Sequence, residues 1–296
     1  MSGTRGGGTE TRRLKVLPGG LRFCVTAPMS VGMTEVASYD FGRFCAADQH
    51  AELDRLRRQA TVLLDRELAV LRGAGLADGS VAAEVGCGPG FVAGAMADLV
   101  GSGRVVGVDP SVQLLDVARG VVQPEHDNVT FVEGDAYATG LAEHSLDFVY
   151  NRMLYQHLDA PVKALHEARR VLRAGGKVCV VDVDDAWLML EPRCEAFERL
   201  TSAAQLGQAR RGGDRQIGRK LPGLMRQAGF TSVTLDIIPI SSLTLGMTTF
   251  LDITTRFKAI QAGDPDSRDL VEEIYRFATS GDAFGVVGVF VATGTA

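Results

Sequence analysis

Short β-branched runs alternating with helix-like stretches through the middle of the chain predict an α/β fold, a mostly parallel sheet covered by helices on both faces. A glycine-rich turn that ends the first run and enters an apolar helix predicts that the carboxyl edge of the sheet meets a ligand. Two later apolar runs, separated by helical inserts, bring the sheet to seven strands.

The elements follow in order. Residues 1–38 carry Gly6-Gly7-Gly8 and Gly19-Gly20 but no sustained apolar period, and are expected to form a disordered tail. Within 39–76, Leu53, Leu56, Ala60, Leu63, Leu64, Leu68 and Leu71 recur at helical spacing, and Gly73 and Gly75 stop the helix. From residue 77 to 296 one α/β domain is expected. Its first five strands are Val81 to Val85, Arg104 to Val108, Val129 to Val132, Leu146 to Tyr150 and Lys177 to Val183. Helices fill Phe91 to Leu99, Val112 to Val121 and Pro161 to Leu172, the last with a proline suited to a first turn. After Asp185 the rhythm breaks. Helical inserts are expected at 186–228 and 242–280, around a sixth strand from Thr231 to Ile240 and before a seventh from Phe284 to Thr293.

Composition narrows the function. The chain has 296 residues, 46% of them hydrophobic, and a formal charge of -5. No basic block is long enough to attract a phosphate backbone, so no nucleic-acid partner is expected. No apolar run approaches the roughly 20 residues that span a bilayer, so no membrane span is expected. Cys24, Cys45, Cys87, Cys179 and Cys194 form no CxxC or Cys/His cluster, which fits a reducing cytoplasm. The five histidines show no metal-ligand spacing, and no metal is expected.

The turn Gly86-Cys87-Gly88-Pro89-Gly90 brings backbone close to a ligand. It reads G-x-G-x-G, and Phe91 stands where a dinucleotide fingerprint has its third glycine, which opposes a nicotinamide oxidoreductase. The next strand ends in Asp109, a carboxylate suited to both hydroxyls of a ribose. One strand on, Glu133-Gly134-Asp135-Ala136 places a second carboxylate where it suits the exocyclic amine of adenine.

With these residues the chain resembles the class I S-adenosylmethionine (SAM)-dependent methyltransferases. It is close to the small-molecule branch that includes quinone-biosynthesis C-methyltransferases and natural-product tailoring enzymes. Asn151-Arg152-Met153-Leu154-Tyr155-Gln156-His157-Leu158 and Glu167 to Gly176 are similar to later motifs of that branch, with Ala174 in place of the usual proline. The resemblance covers about Leu53 to Thr293. It implies a Rossmann-like, seven-stranded, mostly parallel sheet with an N-terminal helical lid, and SAM as cofactor. It also implies roles for matching residues: Glu84, Gly86, Cys87 and Gly88 around the methionine portion, Asp109 and Pro110 at the ribose, Leu114, Gly134, Asp135 and Ala136 at the adenine. Asn151 and Arg152 would flank the sulfonium.

Methyl transfer is an in-line displacement at an activated carbon, so alignment and exclusion of water are the main tasks. His157, just past the fourth strand, and Tyr155 are the candidate catalytic residues. The acceptor is expected to be a hydrophobic or aromatic small molecule, touched by Tyr39, Trp187, Met247 and Phe250. Asp214, Arg215 and Arg219 read as a charged, mobile, solvated segment. The long first helix offers a surface for a homodimer. The alternative function is a SAM-binding cyclase or binding protein that does not methylate.

Overall fold

The computed structural model describes Phe41, residues 46–263 and residues 266–296. The expected tail, 1–38, and Tyr39 lie outside the described residues. Helix α1 (Ala46–Gly73) leads into β1 (Val81–Val85), α2 (Phe91–Val100), β2 (Arg104–Asp109), α3 (Val112–Val121), β3 (Val129–Glu133), β4 (Leu146–Arg152) and α4 (Pro161–Val171). Then come β5 (Leu172–Glu191), α5 (Glu195–Ala209), α6 (Leu221–Gln227) and β6 (Thr231–Ser241). Four helices, α7 (Ser242–Leu245), α8 (Met247–Thr254), α9 (Arg256–Ala262) and α10 (Ser267–Thr279), precede β7 (Phe284–Thr295). The seven strands form one sheet in the order β3-β2-β1-β4-β5-β7-β6, with β7 antiparallel to both neighbours.

Strand side chains alternate between two cores, as a period of two dictates. Cys179 and Val181 of β5 join α2, α5, α8 and α10 in the core on one face, while Val178 and Val180 join α4 and α6 on the other. The order reverses direction between β1 and β4, and the crevice at their carboxyl ends is where ligands of open α/β sheets bind.

β5 is longer than the sequence predicts. The aspartates 184 and 185 look like the end of a strand, but the register only shifts between Val183 and Leu188, and pairing with β7 resumes through Glu191. The segment expected to open the first insert, Trp187 to Met189, is therefore strand, and the helical excursion starts after it. Leu188 turns into the core, and Trp187 and Met189 face out.

Helix α1 lies across the α2 side with Ala60, Leu63, Glu67 and Leu71 buried on one face. Glu67 is the exception among them. Its carboxylate accepts both bonds from Nε of Arg152 at 2.9 Å, and Tyr150 Oη donates to it at 3.3 Å. Arg152 also donates to the carbonyl of Gln59 at 3.0 Å, so one guanidinium fastens two turns of α1 to the end of β4. Removing one partner of a buried pair leaves the other charge uncompensated. Glu67→Ala is expected to destabilise the protein by about 3 to 5 kcal/mol in urea unfolding, with Glu67→Gln retaining part of the loss. A change below about 1 kcal/mol, the scale of an exposed pair, would show that Arg152 finds water instead.

Candidate functional site

The glycine turn forms because β1 must stop and α2 begin within five residues. Gly86, Gly88 and Gly90 all take positive φ, 79°, 52° and 77°, where side chains are strained. A Cβ at Gly90 would strike the Phe131 ring at 2.6 Å. The turn is tied to β2 by Asp109, whose Oδ2 accepts from Gly88 N at 2.8 Å and whose Oδ1 accepts from Ser111 N at 2.9 Å. Each oxygen keeps a lone pair. Burial raises the Asp109 pKa, while those two N–H groups oppose the shift.

Above this turn a cavity of about 500 Å³ opens between α1 and the sheet. Of the residues expected to hold a cofactor, Glu84, Gly86, Cys87, Gly88, Asp109, Pro110, Leu114 and Arg152 line it. Glu84 is the unusual one: it is 2% exposed and its Oε2 has no hydrogen-bond partner. Burial pushes its carboxyl up to about 8, with Arg152 pulling the other way. An orphaned acid above a glycine cradle is the complement of a cationic ligand. Cys87 is buried, which raises its thiol pKa well above the usual range and leaves it inert.

Four other expected cofactor residues do not line the cavity. Asp135 is exposed, and its Oδ1 accepts from Tyr137 N and Ala138 N, closing its own turn. Gly134 is there because Thr139 O and Val108 would clash with a Cβ, and Ala136 packs in the core on the α4 face. Asn151 is buried and donates to the carbonyl of Val85 at 3.1 Å, bracing the strand that carries the turn.

Three expected acceptor contacts are also elsewhere. Phe250 is fully buried against Gly285, and Met247 packs on the same core. Trp187 lies on the outward face of β5, edge-on to Phe290. The apolar walls are instead Leu188, Ile240, Ile253, Phe257, Val287 and Val289, with Leu56, Ala60 and Leu63 of α1 opposite. Strand parity explains Leu188 in place of Trp187.

His157 lines the cavity; Tyr155 does not, being sealed in the core on the α4 and α6 face. Burial and then Arg215, Arg55 and Arg211 lower the His157 pKa to about 3, so the ring is neutral and weakly basic. Arg215 corrects a further expectation. It is 9% exposed and forks Asp185, and Arg219, itself exposed, forks Asp184, so the 214–219 segment is pinned to β5 and Arg215 is withdrawn from solvent. The sequence gives no local sign of this, because Asp185, Arg215 and the cavity-lining Lys258 are far apart in the chain.

The Glu84 shift has a consequence for stability. Its folded pKa lies above its unfolded value, so the folded state holds a proton that the unfolded chain releases, and stability falls as pH rises from about 4.5 to about 8. Glu84→Gln escapes this. Urea unfolding of the ligand-free protein is expected to show the two proteins alike below pH 4.5 and the variant progressively more stable up to pH 8. A constant difference over that window would place the Glu84 carboxylate in contact with a counter-charge.

Comparison with known proteins bears on this geometry. Residues 83–180 match the methyltransferase domain family. The chain is 34% identical over 201 residues to an uncharacterised 37.1 kDa protein in a transposon of Streptomyces fradiae, covering 66% of this chain and 54% of that one. It is 32% identical over 120 residues to a demethylmenaquinone methyltransferase of Staphylococcus aureus, covering 40% of this chain and 49% of that one. The chain thus spans about half the length of these curated relatives. A solved structure from Bacillus halodurans, named as a candidate methyltransferase, shares the fold with a TM-score of 0.53 at 21% identity, over 78% of this chain and 98% of that one.

Proposed function

We propose, on the premise that this chain belongs over residues 83–180 to the methyltransferase domain family, that it transfers a methyl group from SAM to a hydrophobic or aromatic small molecule. The observation that carries this reading is the buried Glu84 carboxyl above the glycine turn, whose Oε2 has no hydrogen-bond partner, in one cavity with an apolar chamber. The ammonium of the amino-acid tail satisfies Glu84, Asp109 offers its two remaining lone pairs to the ribose, and Leu114, across from Gly88, gives an apolar wall for the adenine. Bound there, SAM supplies an electrophilic methyl carbon on a sulfonium.

The chain's own residues do the rest. Leu188, Ile240, Val287 and Val289 take the apolar body of the acceptor and exclude water from the line of attack. His157, neutral and weakly basic, suits a hydrogen bond to the acceptor better than abstraction of its proton. The acidic net charge opposes a nucleic-acid acceptor. No described helix is long and apolar enough to cross a membrane.

Calorimetry with SAM, its demethylated product S-adenosylhomocysteine (SAH), and NADH tests the reading. Both sulfur ligands are expected to bind, and NADH is not; the reverse would overturn the proposal. Asp109→Ala is expected to weaken SAM binding by about 1.5 to 3 kcal/mol, the scale of charge-assisted hydrogen bonds. An acceptor screen read as a methyl mass gain separates transfer from binding alone.

A further inference from the structure

The end of the cavity away from the glycine turn is assembled from β5, the 212–217 segment and α9. Asp185, Arg215 and Lys258 meet there at 5%, 9% and 1% exposure. Arg215 forks the Asp185 carboxylate through Nε and Nη2, and Lys258 Nζ donates to the same Oδ2. Two cations therefore share one anion. The remaining partners are neutral: Arg215 Nη1 donates to the amide oxygens of Gln156 at 3.0 Å and Gln261 at 2.7 Å.

The chamber also has more donors than acceptors. Among the described residues Lys258 makes one hydrogen bond to Asp185, although an ammonium offers three; behind the cavity wall, Nε2 of Gln261 is also buried with no partner. The other charged groups nearby do not restore balance: Asp182 feels the Arg215 charge, but burial pushes its carboxyl up to about 7, so below that pH it is mostly neutral. Arg55 is held by Glu52 at 2.6 Å, and Arg211 donates to the carbonyl of Gln261 at 2.8 Å, while His157 is neutral. Burial and then the Arg215 charge lower the Lys258 pKa to about 7. A surplus buried cation is unfavourable until an anion joins it.

We propose that this chamber is an anion subsite: the acceptor carries an acidic oxygen, a carboxylate or an ionised phenol or enol, received by Lys258 and Arg215 while its apolar body lies along Leu188, Val287 and Val289. The word acceptor rests on the methyltransferase reading; the subsite itself does not. The two ends of the cavity then have opposite demands, a cation at Glu84 and an anion at Lys258. A ligand with an acidic oxygen also needs no strong base to expose its nucleophile, consistent with the weak basicity of His157.

The matched probes 1-naphthoate and 1-naphthamide differ mainly in charge. Titrated by calorimetry into SAH-saturated protein at pH 6.5, naphthoate is expected to bind at least about tenfold more tightly, the scale of one charge-assisted contact. Its affinity should fall as pH rises past the Lys258 titration, while that of naphthamide stays level. Lys258→Met should remove the preference and Lys258→Arg should keep it. Equal affinity of the two probes, binding of neither, or a preference that survives Lys258→Met in folded protein would overturn the subsite. The wild-type comparison decides even if a variant does not fold. If SAH does not bind, the methyltransferase reading fails, and the same titration without SAH still judges the anion subsite.

Discussion

The placement of α1 depends on one buried ion pair. Without the Arg152 guanidinium, Glu67 would be an unpaired carboxylate under a helix that has solvent on its other side. With it, the helix is clamped to the end of β4, at the crevice where the strand order reverses. That clamp sets the roof of the cavity, since Leu56, Ala60 and Leu63 lie on the same helical face one or two turns away. It also conditions Glu84. Arg152 is the cation that favours the ionised form of Glu84, yet its Nε is spent on Glu67 and its Nη2 on the carbonyl of Gln59, so Glu84 feels its field while Oε2 stays unbonded. The orphaned acid is a product of the clamp.

A similar arrangement, in opposite sign, governs the far end. Asp184 and Asp185 interrupt β5, and an aspartate in a buried strand is tolerated only with a partner. Arg219 and Arg215 supply those partners from one short segment, and this is why the segment is fixed. Lys258 then arrives from α9 as a second cation on an acid that already has one. Both ends of the cavity thus carry the remainder of an incomplete charge match. Incomplete matches of this kind lower stability in the free protein and become favourable contacts when a ligand of the right sign is present.

Legibility from sequence divides along physical range. The strands, the glycine turn, Asp109 and the long first helix are set by local periodicity and by φ values only glycine adopts freely, so their residues alone disclosed them. At two places local chemistry is overruled by distant partners. Asp184-Asp185 looked like a strand end because the arginines that neutralise them lie some thirty residues on. Trp187 then looked like an insert residue facing a ligand, when strand parity turns it outward. Asp135 is a different case: a carboxylate at a strand end suits a ligand, and here its Oδ1 also accepts from its own turn, a pairing that residue type alone does not disclose. Lys258 carried no signal at all, since one lysine in an amphipathic helix ordinarily faces solvent.

The division between sheet and inserts follows from the same range argument. Residues facing the glycine turn come from β1, β2 and α3, within one stretch of chain whose geometry is fixed by parallel pairing. Residues of the opposite end come from β5, which the ladder holds, and from the 212–217 segment and the α8 and α9 helices, which lie outside that ladder. Backbone pairing tolerates little change without loss of register. Side-chain packing tolerates substitution of comparable volume. The scaffold therefore holds the glycine-turn end constant while the insert end is free to change its walls and its charge, and the charge of that end is set by Asp185, Arg215 and Lys258 rather than by the turn.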